Sequence, residues 1–222
     1  MIPGPVSLVI FFLSIVAGAA TLLAAQSKPL GVGLAGWLAV TGIAGWFGLV
    51  RDFHRLPPPM FGLLLASVVL AVVAAWSAIG TRLLAKAGIA WLIGMQAFRI
   101  PVEMFLDWGH RVDLVPIQMT FEGRNWDMVS GVSAAAVAWL ASRKQAPRWL
   151  ILVWNCVGAA LLLNIVVIAI LSMPTPLRRF HNEPANTFIA YFPYIWLPAF
   201  LVQLALFGHL LVFRWLRQAQ ND

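Results

Sequence analysis

The feature that most constrains this chain is a series of seven long apolar runs, separated by short polar or proline-containing breaks. The runs cover approximately residues 5–25, 30–50, 59–80, 84–107, 126–142, 148–172 and 187–213. A helix crosses the hydrocarbon core of a bilayer with about 20 apolar residues, because each residue advances about 1.5 Å. The runs are continuous and lack the alternation that marks the strands of a membrane β-barrel. The sequence therefore predicts an all-α fold, a polytopic membrane bundle of seven transmembrane helices that forms one domain over residues 1–222.

Composition excludes the main soluble classes. Only 10% of the residues are charged, whereas soluble proteins carry about 25%. The formal net charge of +7 does not indicate nucleic-acid binding, because that function needs a basic face on a soluble body. Here the cations stand between apolar runs, which is typical of the loops of membrane proteins. The partner that composition predicts is the lipid bilayer, with no nucleic acid.

The distribution of cations predicts an orientation. Seven crossings place the two termini on opposite sides of the membrane, and Lys and Arg are enriched in cytoplasmic loops. One side would hold eight cations: Lys28, Arg82, Lys86, Arg143, Lys144, Arg148, Arg214 and Arg217. The other would hold six: Arg51, Arg55, Arg111, Arg124, Arg178 and Arg179. We therefore expect the N-terminus outside and the C-terminus in the cytoplasm. The first run has no preceding Lys or Arg, which predicts a retained helix and not a cleaved signal peptide.

The acids concentrate on the predicted outer side. Seven of the eight carboxylates fall there: Asp52, Glu103, Asp107, Asp113, Glu122, Asp127 and Glu183. Three of the four histidines follow them: His54, His110 and His181. The residue types that can do chemistry therefore gather on one face of the predicted bundle.

The fourth run contains a cation within the predicted membrane. Arg99 lies about 20 Å along the helix axis from Lys86, in the predicted outer third of the bilayer. An arginine at membrane depth is costly unless it is paired or faces a cavity. Glu103 shares its helix face at a spacing of four residues, and Pro101 bends the helix between them. Two interpretations remain open: a structural Arg99–Glu103 clamp, or one wall of an outward-open polar cavity.

The stretch VPIQMTFEGRNWDMVSGV, residues 115–132, places polar residues between apolar ones without a helical period. The polar members are Thr120, Glu122, Arg124, Asn125 and Asp127. A fully solvated loop would not need the interleaved Met119, Phe121 and Trp126. Irregular backbone at membrane depth is tolerated only where protein or a water-filled cavity covers it. This stretch predicts a re-entrant or lid-like segment at the outer mouth of the bundle.

The seventh run carries Pro193 and Pro198, which predict a bent or partly unwound helix. Tyr191 and Tyr194 lie in the same region, either as interface anchors or as hydroxyls directed into the outer mouth. His209 falls near the predicted inner end, and we expect it to be a packing residue remote from the outer cluster.

Two catalytic alternatives have less support in the sequence. His54, His110 and His181 with neighbouring acids could form a zinc site, although no HExxH motif is present. Ser130-Gly131 resembles part of an intramembrane serine protease motif, but Met128 stands where GxSG requires glycine. No cofactor is predicted, and zinc remains an alternative.

Four short motifs carry a family resemblance: RIPVE at 99–103, MTFEGRNWD at 119–127, PPPMF at 57–61, and WLP at 196–198 with a later GH at 208–209. The chain resembles a family of uncharacterised bacterial multi-span inner-membrane proteins with R-x-x-V-E and M-T-F-E-G-R-N-[FW]-D motifs. The resemblance implies a bacterial inner (cytoplasmic) membrane location. It also implies that Arg99, Glu103, Thr120, Glu122, Arg124, Asn125, Asp127, Pro198 and His209 fall on the family's pattern.

The function that the sequence favours is binding or sensing of a small polar solute or lipid headgroup in an outward-facing polar pocket, with transport a weaker possibility. The expected ligand-binding residues are Arg99, Glu103, Thr120, Glu122, Arg124, Asn125, Asp127, Tyr191 and Tyr194. Within this pocket we expect Arg99 to pair with Glu122, and Arg124 to pair with Glu103 or Asp127. The alternative is a membrane-embedded hydrolase or transferase acting on a lipid, with Glu122 or Glu103 as general acid/base. A purely structural polar network also remains open, and the sequence leaves protein partners undetermined.

Overall fold

The computed structural model describes residues 4–218, and these residues form seven helices without any strand. The helices are α1 Pro5–Ala25, α2 Lys28–Phe47, α3 Pro59–Trp76, α4 Ala78–Arg111, α5 Asp127–Ser142, α6 Arg148–Leu171 and α7 Leu197–Gln218. All except α5 are long and apolar enough to cross a membrane. The all-helical architecture expected from the apolar runs is therefore confirmed, and six of its seven helices have the length and apolarity that a membrane crossing needs. The 16 residues of α5 make it shorter than the other six.

Several of the expected boundaries are wrong, and two of them have a clear local cause. The third run ends at Trp76 and not at residue 80, because Ser77 ends α3 and caps α4 by accepting a hydrogen bond from the Ile79 N–H at 3.1 Å. The seventh helix begins at Leu197 and not at residue 187. The ten residues before it form turns around Pro193, since proline cannot donate to a helical ladder.

Helix α4 is broken in two places. Gly88 has φ 73° and ψ 166°, a conformation that only glycine adopts without strain. A 3₁₀ turn at Met95–Phe98 follows before the helix resumes at Arg99–Arg111. The segment after the break at Gly88 starts at Ile89, ten residues before Arg99, and Arg99 itself lies twelve residues before Arg111. Arg99 lies near the middle of this segment, about 15 Å from one end and 18 Å from the other.

Helix α7 forms the centre of the bundle, where it packs against α3, α4 and α6. Within its most apolar stretch, 61% of the residues are buried, against 17% for the peripheral α2. Its first turn, Leu197–Leu201, is π-helical around Pro198. Such turns leave carbonyls without the normal helical partner, and the Gln203 side-chain amide donates to the Pro198 carbonyl at 3.1 Å. The bent start predicted for the seventh helix is present in this form.

The three long connections, 48–58, 112–126 and 172–196, follow helices that end on the same side of the bundle. The connections at the other end are short: 26–27, Ser77 and 143–147. Residues 112–126 and 172–196 together form what we call the cap. The Asn164 side chain of α6 donates to the Arg124 carbonyl at 2.9 Å, seven residues or about 10 Å below the end of that helix. The cap is therefore folded into the end of the bundle.

This arrangement predicts that α5 also crosses the membrane, so that residues 122 and 144 lie on opposite sides. In a Cys156→Ser background, Glu122→Cys and Lys144→Cys should react with a membrane-impermeant maleimide from opposite faces of sealed vesicles. Both positions are exposed, so the comparison does not depend on opening of the fold. Labelling of both cysteines from one face would show that α5 does not cross.

Candidate functional site

Arg99 occupies the middle of the bundle and is only 2% exposed. Its Nε atom lies 2.8 Å from Oδ2 of Asp127, which is the first residue of α5. Its Nη1 atom donates to Ser130 Oγ at 2.8 Å, and both Nη atoms approach the Gly158 carbonyl of α6 at 3.4 Å. One guanidinium therefore joins α4, α5 and α6. A buried cation needs a counter-charge and several hydrogen-bond acceptors, because an isolated charge at membrane depth costs several kcal/mol.

His209 brings α7 into the same contact set. Its Nε2 atom lies 3.2 Å from Arg99 Nη1, and its Nδ1 atom lies 2.8 Å from Asn155 Oδ1. Guanidinium nitrogens only donate and an amide oxygen only accepts. The proton of His209 is therefore on Nδ1, and the unprotonated Nε2 accepts from Arg99. His209 is therefore a neutral imidazole in this arrangement. The expectation that it would be remote from the other polar residues is wrong, since it lies twelve residues into α7 and faces Arg99.

A second buried carboxylate, Glu103, is held by the cap. The Asn125 side-chain amide donates to both carboxylate oxygens, at 2.7 and 2.8 Å, and to the Met119 carbonyl at 3.0 Å. Asn125 Oδ1 in turn accepts from the Asp127 N–H at 3.1 Å. Asn125 is fully buried and links the cap to the Glu103 carboxylate and to the backbone of Asp127. Thr120 is also buried, and its hydroxyl donates to the Ile117 carbonyl at 2.8 Å within the cap.

We call these seven residues the polar cluster: Arg99, Glu103, Asn125, Asp127, Ser130, Asn155 and His209. It holds two carboxylates and one permanent cation among buried side chains. The cluster is not fully satisfied. Asp127 Oδ1 has no hydrogen-bond partner among the described residues, and the close Arg99 Nε–Asp127 contact does not have hydrogen-bond geometry. Buried polar atoms without partners are uncommon and require an explanation.

The predicted charge pairs are wrong, because Arg99 pairs with Asp127 and not with Glu122. Glu122 and Arg124 are exposed on the turn before α5. The Arg124 guanidinium lies 5.4 Å from the ring centroid of Phe180, and Glu122 makes no hydrogen bond or ion pair with any residue of the described range. The physical reason is local: residues 121–124 form a turn that faces outward, whereas the first turn of α5 directs Asp127 inward.

The two tyrosines lie in the capped half but outside the polar cluster. The Tyr194 ring is buried against Phe105 and Phe188, with centroids 5.9 and 5.7 Å away. The Tyr191 ring is half-buried and lies 3.9 Å from the guanidinium carbon of Arg51. The interface-anchor interpretation suits Tyr191, and neither ring is placed beside Arg99 or Glu103.

The three predicted zinc-binding histidines do not come together. His54 and His181 are exposed, and His110 Nδ1 lies 3.0 Å from the Val115 carbonyl. Within residues 4–218, no group of three or more His, Cys, Asp or Glu side chains is arranged to hold a metal ion. His54 and His181 occupy separate connections and His110 lies in the last turn of α4, so adjacency in the sequence to an acid did not bring them into one site.

The cap carries its own polar contacts. Gln118 donates to Ser172 Oγ at 2.8 Å and accepts from the Asn182 amide at 2.7 Å, which joins its two segments. Arg178 bonds Glu183 at 2.9 Å. The pKa of the exposed Glu183 carboxyl is lowered, mainly by the hydrogen bond from Arg178 and to a smaller extent by the hydrogen bond from the Ala185 N–H. The cap is therefore held by neutral amide bonds inside and one exposed ion pair outside.

Sequence reasoning did not place Ser130, Asn155 or Gly158 beside Arg99, and it considered Ser130 only as part of a protease-like motif. A Cβ added to Gly158 would lie 2.7 Å from both Ser130 Oγ and His209 Cε1. Glycine at this position therefore lets Ser130 and His209 approach α6 from either side. Two signals were present: Asn155 is a polar residue in a long apolar run, and Gly158 follows it by three residues on the same helix face.

Comparison with known proteins gives one match. A family model described as "Domain of unknown function (DUF8737)" matches residues 58–217, a range that contains the entire polar cluster and the cap. No curated protein matches the chain significantly. No solved structure matches it significantly either.

Removing the partner of Arg99 should be strongly destabilising. Asp127→Asn leaves a buried guanidinium without its counter-charge, and we expect the free energy of unfolding to fall by about 3–5 kcal/mol. Arg111→Gln is the matched control, because it removes an exposed ion pair with Asp107, worth at most about 1 kcal/mol. Reversible unfolding in mixed micelles measures both. Equal losses in the two variants would contradict the assigned role of Asp127.

The close packing at Gly158 predicts a second effect. Gly158→Ala should lower the free energy of unfolding by about 1–3 kcal/mol, since the added methyl group overlaps Ser130 and His209. Gly62→Ala in α3 is the control, because a Cβ there has no heavy atom within 4 Å. That substitution should be neutral or stabilising by up to about 1 kcal/mol. A neutral Gly158→Ala would show that α6 does not approach the cluster this closely.

Proposed function

The chain belongs to the family described as "Domain of unknown function (DUF8737)", and we propose that it is an integral membrane protein that binds or senses a small polar solute or lipid headgroup at the polar cluster. The observation that carries this proposal is the buried Asp127 Oδ1, which lacks a hydrogen-bond partner beside Arg99. Ionisable residues within membrane spans are costly and mark functional sites more often than structural ones. A network that served only to lock helices would be expected to satisfy its carboxylate fully.

The chemistry of the cluster indicates the class of ligand. Asp127 Oδ1 offers an acceptor, and the adjacent Arg99 guanidinium offers donors, within one contact set. A ligand with an ammonium or hydroxyl donor next to an acidic or carbonyl oxygen would complement both. Zwitterionic solutes and ethanolamine-type headgroups share this chemistry.

The cap supplies a means of access. The cluster is closed, with Arg99 and Glu103 each 2% exposed, so a ligand enters only when the cap moves. Asn125 is the residue that would report such movement, since it belongs to the cap and holds Glu103. The hydrogen bonds between Asn125 of the cap and Glu103 of the polar cluster favour sensing or gated binding. Transport is a weaker proposal, because the polar cluster does not continue to the end opposite the cap.

We propose that the protein lies in a bacterial inner membrane with the N-terminus and the cap outside. The end opposite the cap carries the eight cations named above, and the capped end carries six. This bias follows the enrichment of Lys and Arg in cytoplasmic loops.

An enzymatic function remains the alternative proposal, with fewer supporting contacts. Glu122 is exposed and Glu103 is held by Asn125 on both oxygens. Ser130 and His209 both contact Arg99, but His209 Nε2 accepts from the guanidinium and is not free to take a proton from the serine. A general base must reach the proton that it removes.

A ligand screen tests the proposed binding function. Purified protein would be unfolded thermally in the presence of amino acids, ethanolamine, phosphoethanolamine, glycerol 3-phosphate, sugars and divalent metals. A ligand at 100 times its dissociation constant should raise the free energy of unfolding by about 2.7 kcal/mol. Asp127→Asn should abolish this increase, whereas the exposed Glu122→Gln on the same segment should retain it.

Binding must be separated from loss of folding. Equilibrium dialysis with the best ligand, at a temperature where circular dichroism shows all variants folded, provides this control. Retention of the ligand by Asp127→Asn, or no stabilisation of the wild type by any compound, would count against binding at the polar cluster and favour a structural network.

A further inference from the structure

A cavity outside the polar cluster opens between α3, α6 and α7. It has a volume of about 360 Å³ and is closed toward the cap by Met119, Met173 and Ile189. This volume falls within the range of ligand-binding pockets. Its rim includes Leu65 and Leu163, which are 65% and 63% exposed on the lipid-facing surface. We call it the lateral cleft, because it opens sideways to the bilayer and not to the aqueous phase.

The walls of the lateral cleft are apolar with one exception, Gln203 of α7. This side chain is 8% exposed, and its Nε2 is fixed by donation to the Pro198 carbonyl at 3.1 Å. Its Oε1 has no hydrogen-bond partner among the described residues. A buried amide oxygen without a hydrogen-bond partner destabilises the folded state, because it has lost its hydrogen bonds to water. The cleft therefore combines an apolar body with a single unused acceptor.

The position of Gln203 makes this acceptor unusual. It lies six residues into α7, about 9 Å below the start of the helix, where bilayer water does not reach a polar atom readily. The π-helical turn at Leu197–Leu201 frees the Pro198 carbonyl that binds Nε2. The break in the helix thus leaves Oε1 available for a donor from a ligand, and π-helical turns are frequent at functional sites.

We propose that the lateral cleft binds a long-chain alcohol from the bilayer, with the chain along the apolar walls and the hydroxyl donating to Gln203 Oε1. The absence of any charged residue among the lining residues disfavours phosphate and carboxylate headgroups, since their charge would have no counter-charge. One acceptor matches one hydroxyl donor. This inference is independent of the function proposed for the polar cluster.

Photolabelling in lipid nanodiscs tests the site, with a hexadecanol analogue that carries a diazirine in its chain. Label should appear on peptides of α3 and α6 that line the cleft. Unlabelled hexadecanol should compete roughly fivefold better than hexadecane, the contribution of one neutral hydrogen bond. Gln203→Leu should remove this preference.

A second variant keeps the test independent of folding. Leu163→Trp would fill the cleft from its exposed rim and should abolish labelling. Leu152→Trp, also exposed on α6 but outside the lining, is the matched control and should label normally. Circular dichroism and gel filtration would show that each variant is folded.

Three results would overturn the proposal. Equal competition by hexadecane would show that the cleft does not select a hydroxyl. Stronger competition by hexadecanoate would assign a different ligand class. Unchanged labelling of Leu163→Trp would place the alcohol elsewhere, for example in the 230 Å³ cavity between α2, α3 and α7 that Gln203 also lines.

Discussion

The structure depends on the burial of one guanidinium at the middle of the bundle. Arg99 cannot lose its charge under ordinary conditions, so every element around it must supply a carboxylate or an acceptor. Asp127, Ser130, Gly158 and His209 do so from three different helices. The requirement explains why α5 starts with an acid directed inward. It also explains why α6 carries a glycine at the contact, because its carbonyl must lie close to the cation.

The same requirement orders the cap. Asp127 can face Arg99 only if the preceding segment turns back into the bundle, and Asn125 stabilises that turn by accepting from the Asp127 N–H. The Asn125 amide then satisfies Glu103, the second buried carboxylate. A single asparagine thus connects the position of the cap with two charged groups. Movement of the cap would expose Glu103 and change the surroundings of Asp127 together, and this would couple the proposed ligand binding to a conformational change.

The elements were largely predictable from sequence, and the contacts between them were not. Long apolar runs predict membrane helices because the bilayer leaves few alternatives. Arg99 and Glu103 are recognisable because charges within such runs are rare, and Asn125 and Asp127 because they stand in a polar stretch interleaved with apolar residues. Their partners depend on which face of each helix turns inward, and the break in α4 at Gly88 is one of the features that set this. Glu122 and Asp127 lie five residues apart in the sequence, yet one is exposed and the other buried. No periodicity rule applies across the turn that separates them.

The closed state of the polar cluster is compatible with access, because the contacts that hold the cap differ in strength. The outer contact is the Arg178–Glu183 pair, in which the Glu183 side chain is 71% exposed, and water weakens such exposed ion pairs. The inner contacts are amide and hydroxyl hydrogen bonds of Gln118, Asn182 and Ser172, each with a net contribution of about 1 kcal/mol. The core of α7 is instead packed mainly by apolar side chains. Opening of the cap would break the first two sets together with the Asn125–Glu103 hydrogen bonds and the packing of cap residues such as Phe188. The packing of α7 against α3, α4 and α6 would remain, so the bundle can stay folded while the polar cluster becomes accessible.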